Sequence, residues 1–451
     1  MPDCAPAVRN PYQSRGDAVQ PCILMKATET NSSSPSRRPD SAPVRVVAAA
    51  PFNVRGSRRN FFGAVGWAAV GLGIAHDVLG AENPGVLVAD KASAIRIKSL
   101  KAVPVKGNLY IKIETNQGIF GWGETAGIEP NVGAELARSL FELLKDENPT
   151  RIEYLWQKLY RSHRDIRGGP FMVHVISAID AALWDISGKL HGVPVYRLLG
   201  GPVRDKIRYY SHAKAHKAPP GGVYEHSGNP MDIEKIVGMV KSARQMVGPD
   251  GTVMFDAHCA IPPATLIQFA AAIKAYDVLW IEEPAVPGNI EVFKRLKAAI
   301  SIPLAAGERD RTIWEFIPYL QERCLDILQP DVSHSGGISQ MLKIATLGEA
   351  FHTPLAPHCT NTLLGIAASL HAIAAVPLFL IHECYFFNHK EKDAIRCAFD
   401  VHKDGYIGLP PGPGLGVEID EKALDELSKE TAGQYKWPTY GRLKDGSIAD
   451  Y

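Results

Sequence analysis

One pattern limits the folds open to this 451-residue chain. Between Val253 and Glu383 a short apolar run ends in a polar residue again and again, at nearly constant spacing. Residues 253–255 lead to Asp256 and His258, 278–281 to Glu282 and Glu283, and 303–306 to Gly307 and Glu308. Residues 325–329 then lead to Asp331, 353–356 to His358, and 378–381 to His382 and Glu383. Successive polar ends lie 23 to 27 residues apart, the length of one strand plus one helix. The stretches between them, 263–274, 290–300, 313–322, 338–351 and 363–375, carry their apolar residues on one helical face. Buried strands alternating with helices at this period predict an α/β fold: a parallel sheet closed into a (β/α)8-type, TIM-like barrel whose chemistry sits at the C-terminal strand ends. A single acid after a strand is as easily an N-cap or a rim charge; the whole series aims at one mouth.

The rest of the chain divides around that barrel. Up to about residue 56 the chain is rich in Ser, Pro, Arg and Ala without hydrophobic periodicity, so no fold is predicted there. Ser57-Arg58-Arg59-Asn60-Phe61-Phe62, then the small and apolar run 63–75 and a candidate cleavage site near Ala81, have the form of a twin-arginine export signal. Residues 1–93 are therefore read as leader, and export to the periplasm is the expectation. The apolar run is too short and glycine-rich for a stable membrane span. From 94 to 206, strands at 95–97 and 109–114 and a turn at 118–123 into a third precede helices at 134–144, 152–160 and 172–190, which predicts an α+β capping domain. The barrel is expected over 207–403, and the Pro/Gly-rich segment 404–451 is expected to return to the cap. With 49 basic against 48 acidic residues, nothing argues for nucleic acid or an anionic membrane surface. Seven cysteines without paired spacing fit neither a disulfide framework nor a zinc motif.

Asp256, Glu282 and Glu308 come from three successive units, so three carboxylates meet in one mouth. They would repel one another unless a cation intervened. An all-oxygen donor set favours Mg²⁺, with salt bridges to Arg309 and Arg311 or to lysine neighbours as the alternative. His258 lies two residues beyond Asp256, while Asp331 and His358 end strands on the other side of the barrel. A carboxylate beside an imidazole fixes its tautomer and raises its basicity. Two histidines facing each other across a bound substrate then read as an acid and base pair.

These residues carry a resemblance. Asp256-Ala257-His258, Trp280-Ile281-Glu282-Glu283-Pro284, Ala306-Gly307-Glu308-Arg309, Gln329-Pro330-Asp331 with Ser333-His334-Ser335-Gly336-Gly337, and Ala356-Pro357-His358-Cys359 resemble the enolase superfamily, mandelate racemase subgroup. Within it they are most similar to the galactonate dehydratases. Arg167-Gly168-Gly169-Pro170 in the cap fits the same family. The resemblance implies Mg²⁺ ligands at Asp256, Glu282 and Glu308. It implies that His358, with Asp331, is the base that removes the proton α to a carboxylate, and that His258 is the acid that protonates the departing 3-hydroxyl. Glu383 matches the residue that hydrogen-bonds the substrate carboxylate, which requires its protonated form. The implied reaction dehydrates a small-molecule sugar acid, an aldonate of galactonate type, to a 2-keto-3-deoxy sugar acid. Homo-oligomers are common in that family, so a homo-oligomer is an expectation here.

Three readings stay open. Between a first barrel strand at 207–213 and Asp256 only one helix, 232–247, is clear, so the second βα unit is expected to be shortened or missing. That expectation makes a non-catalytic sugar-acid binding protein one rival; His258 and His358, able to remove and return a proton on opposite faces, make an epimerase another. Arg164 and Arg167, on a cap loop, are candidates for contacts with substrate hydroxyls or carboxylate. The run Cys359-Thr360-Asn361-Thr362 departs from the proline-containing one the family carries after the seventh-strand histidine.

Overall fold

The computed structural model describes residues 94–436 apart from 163, 212–222, 227–232, 385–393 and 403. The twin-arginine stretch lies outside the described residues.

The capping domain begins with three antiparallel strands in the order β1 (Ile97–Val105), β2 (Asn108–Thr115) and β3 (Phe120–Thr125). The first strand starts at Ile97 rather than spanning 95–97. An irregularity between Ile97 and Ser99 breaks the period-two alternation by which the sequence could have been read through it. Helices α1 (Pro130–Leu140), α2 (Ile152–Ser162) and α3 (Pro170–His191) cover the sheet. Pro170 occupies the first turn of α3, and Gly192, at φ 69°, ends it in the left-handed region. By length and hydropathy α3 could cross a membrane, but 89% of its apolar window is buried inside the protein, so it is the core helix of the cap. β3 lies directly on α3: a Cβ at Gly121 or Gly123 would collide with the carbonyl oxygens of Ala182 and Ala178.

The barrel strands are β4 (Lys206–Tyr210), β5 (Val223–His226), β6 (Val253–Asp256), β7 (Val278–Glu282), β8 (Leu304–Ala306) and β9 (Ile327–Leu328), followed by an extended run at Leu355 and by β10 (His382–Glu383). Parallel pairing runs unbroken from β5 to β9, and parallel bridges then join Leu328 to Leu355 and Leu355 to Phe379. β10 pairs in parallel with β4. The second strand is therefore present, which corrects the reading that it is missing: β5 pairs with β6 over four residues, with His226 opposite Asp256, while the segment 212–222 before it lies outside the described residues. Its four residues follow Pro219-Pro220-Gly221-Gly222 and include Glu225 and His226, so no apolar run marks it in the sequence. The helices α4 (Ile233–Val247), α5 (Pro263–Ile273), α6 (Ile290–Ala299), α7 (Thr312–Gln321), α8 (Gly337–Ala350) and α9 (Leu363–Ala374) lie within a residue or so of the predicted ranges.

After the barrel, β11 (Ile395–Cys397) pairs with β13 (Val417–Ile419), and β12 (Tyr406–Gly408) pairs antiparallel with β4. The chain then reaches the cap. Leu415 donates its N–H to Asp185 on α3 at 2.8 Å, and α10 (Glu421–Thr431) docks on β1 through Ser428 Oγ to the Pro104 carbonyl and Lys101 to Asp425, both 2.7 Å.

Strand alternation explains why the polar ends converge. Tyr210, Met254, Trp280, Ala305 and Ile381 form one buried layer inside the barrel. Asp256, Glu282 and Glu383 stand two residues beyond Met254, Trp280 and Ile381, so they project to the same side one layer higher, at the mouth. Val253, Phe255, Ile281 and Leu304 face the other way, into the core shared with the helices.

Candidate active site

The carboxylates stand in successive strands. Asp256 and Glu282 end β6 and β7 directly opposite one another in the ladder, and Glu308 follows β8 after Gly307. Gly307 has φ 142°, and a Cβ there would press on Phe316 and the Gln329 backbone, so the turn that aims Glu308 requires glycine. Trp280 Nε1 donates to Glu282 Oε2 at 3.0 Å. Glu282 Oε1 and Glu308 Oε2 are buried without a hydrogen-bond partner among the described residues. Burial, and then repulsion from Asp256, Glu308 and Glu383, raise the Glu282 carboxyl well above the usual range. Burial chiefly, with Glu283 and Asp256, pushes Glu308 up to about 8. Buried carboxylates that repel each other and have lone pairs to spare are what a hard divalent cation neutralises.

The alternative of neutralisation by arginine fails on geometry. Arg309 gives Nε and Nη2 to the two oxygens of Glu283, at 2.7 and 2.9 Å. Arg311 turns back to the Arg309 carbonyl. Asp256, His258 and Glu283 also bring one ligand atom each within 4.8 Å of one another, but both oxygens of Glu283 are already held by Arg309.

His358 sits across the mouth. Its Nδ1 lies 2.7 Å from Asp331 Oδ2, and its Nε2 is 3.8 Å from both Glu308 Oε2 and Glu383 Oε2. Because a carboxylate can only accept, Nδ1 carries the proton and Nε2 presents its lone pair to the mouth whenever the ring is neutral. Asp331 is fully buried, and Ser333 N and Asn361 Nδ2 donate to its Oδ1 at 2.7 and 3.1 Å. Burial opposes its charge, yet the imidazoles of His334 and His358 and these hydrogen bonds hold it far below the usual carboxylate range. Burial likewise works against an imidazolium at His358, and the Glu308, Glu383 and Asp331 carboxylates outweigh it, raising that ring well above an ordinary histidine. His258, at φ 46°, turns its Nε2 onto Asp256 Oδ2 and is raised, burial again opposing and Asp256 prevailing. Glu383 Oε2 accepts the Cys359 N–H at 2.9 Å.

The two cap arginines do not join this cluster. Arg164 is 87% exposed beside Asp165, and the Arg167 guanidinium lies 5.8 Å from the Tyr160 ring. Among the described residues neither contacts a strand-end side chain, because the short helical turn at Arg164–Ile166 directs Arg164 to solvent. Sequence reasoning missed Ser333 and Asn361, the supports of Asp331, as well as Tyr210, whose buried ring sits edge-on to Trp280 at 5.7 Å beneath the carboxylates. Asn361 lies in the run that departs from the family pattern, and that departure was its only signal.

Comparison with known proteins matches the geometry to a lineage. Residues 88–200 match the mandelate racemase / muconate lactonizing enzyme N-terminal domain, and residues 203–423 match the enolase C-terminal domain-like family. The chain belongs to the enolase superfamily. A D-galactonate dehydratase of Ralstonia pickettii is 36% identical over 371 residues, covering 76% of this chain and 96% of that protein. A D-galactonate dehydratase family member of Streptomyces bingchenggensis is 32% identical over 406 residues, covering 79% and 97%. The crystal structure of a 3,6-anhydro-D-galactonate cycloisomerase from Zobellia galactanivorans superposes with a TM-score of 0.69 at 28% identity, over 74% of this chain and 99% of that one. As an enolase-superfamily chain, this protein pairs a TIM barrel with an α+β cap.

Proposed function

We propose that the protein is a Mg²⁺-dependent hydro-lyase that dehydrates an aldonate-type sugar acid to its 2-keto-3-deoxy product. The observation that carries this reading is the Asp331–His358 pair, with His358 Nε2 aimed at the Glu308 and Glu383 carboxylates across the mouth. Asp256, Glu282 and Glu308 would hold the ion, since Asp256 and Glu282 are buried carboxylates and the buried Glu282 Oε1 and Glu308 Oε2 have no hydrogen-bond partner among the described residues, which fits an all-oxygen cation site. Bound there, the ion would supply the positive charge that stabilises the enediolate of the substrate.

The side chains perform the proton transfers. Asp331 orients His358, whose Nε2 takes the C2 proton, and the C–H electron pair moves into the carboxylate to give the enediolate. His258, charged beside Asp256, gives its proton to the 3-hydroxyl, which leaves as water as those electrons form the C2–C3 double bond. The resulting enol relaxes to the ketone. Glu383, fixed by the Cys359 N–H, lies close enough to His358 to meet the substrate carboxylate once protonated. The four-residue second strand, paired with β6, speaks against loss of that strand as a ground for a non-catalytic binding protein.

A screen of aldonic and uronic acids with the Mg²⁺-loaded protein in D₂O, followed by NMR, tests the reading. The expected result is a keto product from at least one acid. Deuterium at C2 without product would replace the dehydratase with an epimerase, and neither signal from any acid would remove both. Export is part of the same proposal, supported by Ser57-Arg58-Arg59-Asn60-Phe61-Phe62. Changing Arg58 and Arg59 to Lys should retain a tagged protein in the cytoplasmic fraction, and unchanged export would reject the twin-arginine route.

A further inference from the structure

Building on the reading of Asp331–His358 as the base, we propose that residues 124–127 of the capping domain are the scaffold that positions it. The two loops that carry this pair come from different strand ends, and each is gripped by the same short piece of β3 and its exit. Glu124, 2% exposed, accepts three hydrogen bonds: from Thr362 N at 2.9 Å, Thr362 Oγ1 at 2.5 Å and Gly365 N at 2.9 Å. Thr125 Oγ1 donates to the Ser333 carbonyl at 2.9 Å. The Ala126 carbonyl lies 2.8 Å from His174 Nδ1, and the His174 ring stacks on His334 at 4.4 Å. Gly127, at φ 73°, passes close enough to His334 that an added Cβ would lie 3.3 Å from its Nε2.

What these contacts hold is the support of the base. Ser333 donates its N–H to Asp331 Oδ1, and Ser333 Oγ sits 2.7 Å from that oxygen and 2.9 Å from Asn361 Oδ1. Asn361 Nδ2 donates to Asp331 from the other loop at 3.1 Å. The cap therefore grips Ser333 itself and the immediate neighbour of Asn361. Thr362 is also the N-cap of α9, so the Glu124 carboxylate meets the free N–H groups of a helix start, where an anion is favoured and its hydrogen bonds are strong. β3 has no freedom to yield, because Gly121 and Gly123 seat its backbone directly on α3. An interface serving only to join two domains could be apolar here, whereas Glu124, Thr125 and Gly127 aim polar or close contacts at the two loops of the base and Ala126 reaches one of them through His174. Glu124 and Thr125 are positioning residues, and cap and barrel form one catalytic unit.

The test uses the full chain labelled with ¹⁵N-histidine. The His358 Nδ1–H resonance, identified by its loss in His358→Asn, reports the hydrogen bond to Asp331 directly. Glu124→Gln and Thr125→Val are expected to move or broaden that resonance and to lower kcat by about ten- to a hundredfold with KM nearly unchanged. Thr125→Ser, which keeps the hydroxyl, should restore both. A wild-type resonance and wild-type kcat in Glu124→Gln and Thr125→Val, whatever happens to Tm, would overturn the proposal. Should no acid in the screen be turned over, the resonance alone decides, so failure of the dehydratase reading and failure of the positioning role give different results.

Discussion

Replacing His358 by Asn is expected to lower kcat by about 10²–10⁴-fold while the protein stays folded. The asparagine amide can still donate to Asp331, so the buried carboxylate, which His358 meets at 2.7 Å, keeps a partner. What disappears is the basic lone pair at the Nε2 position. Keto-product formation and C2 deuteration should fall together, since both need the same proton to leave. If product is lost while C2 deuteration persists, another group is the base. The pH profile carries the same signature with a definite sign. The base works as neutral imidazole, and Glu308, Glu383 and Asp331 raise its pKa, so kcat/KM should climb as pH rises through the elevated His358 value and be lost below it. Filling the cation site counters the Glu308 charge, which should shift that acid limb to lower pH as Mg²⁺ approaches saturation.

Glu308→Gln is expected to abolish the rise in Tm that Mg²⁺ gives the wild-type protein, and with it the turnover. At about one hundred times Kd a ligand that binds only the folded state adds about 2.7 kcal/mol of stability, a shift readily seen by thermal denaturation. The same substitution should stabilise the metal-free protein at alkaline pH. Glu308 is raised from 4.5 to about 8 in the fold, so between those values the folded protein keeps a proton that the unfolded chain has released. Stability then declines as pH rises through that window, and the full penalty stands above it. A neutral glutamine removes the share of the slope that Glu308 contributes. Wild-type and Glu308→Gln proteins with parallel Tm-against-pH curves, or a Mg²⁺ shift that survives the substitution, would take Glu308 out of the cation site.

Both predictions concern residues that can be found without coordinates, and the reason lies in the backbone. A buried parallel strand needs a continuous apolar run, and the residues just past its end are where the chain becomes polar again. Asp256, Glu282, Glu308, Asp331, His358 and Glu383 stand out because the repeat advertises them. β5 escaped because Val223-Tyr224-Glu225-His226 has no such run; only its ladder to β6 identifies it. Arg164 and Arg167 show the opposite case, since charge on a loop near a mouth says nothing about the direction in which the side chain leaves the backbone, and here Arg164 stands beside Asp165 and Arg167 near the Tyr160 ring.

Order along the chain thus determined the barrel, the cap that precedes it and the chemical types of the groups at the mouth, because periodicity and strand ends are local properties of the sequence. The tertiary structure alone decided how those groups are paired. Arg309 is held by Glu283 and not by the neighbouring Glu282. Asn361 and Ser333 converge on Asp331 from separate loops. Glu124 reaches Thr362 from 238 residues away. Hydrogen bonds are short-ranged and directional, so partners so distant in sequence are fixed only when packing brings their loops within about 3 Å of one another.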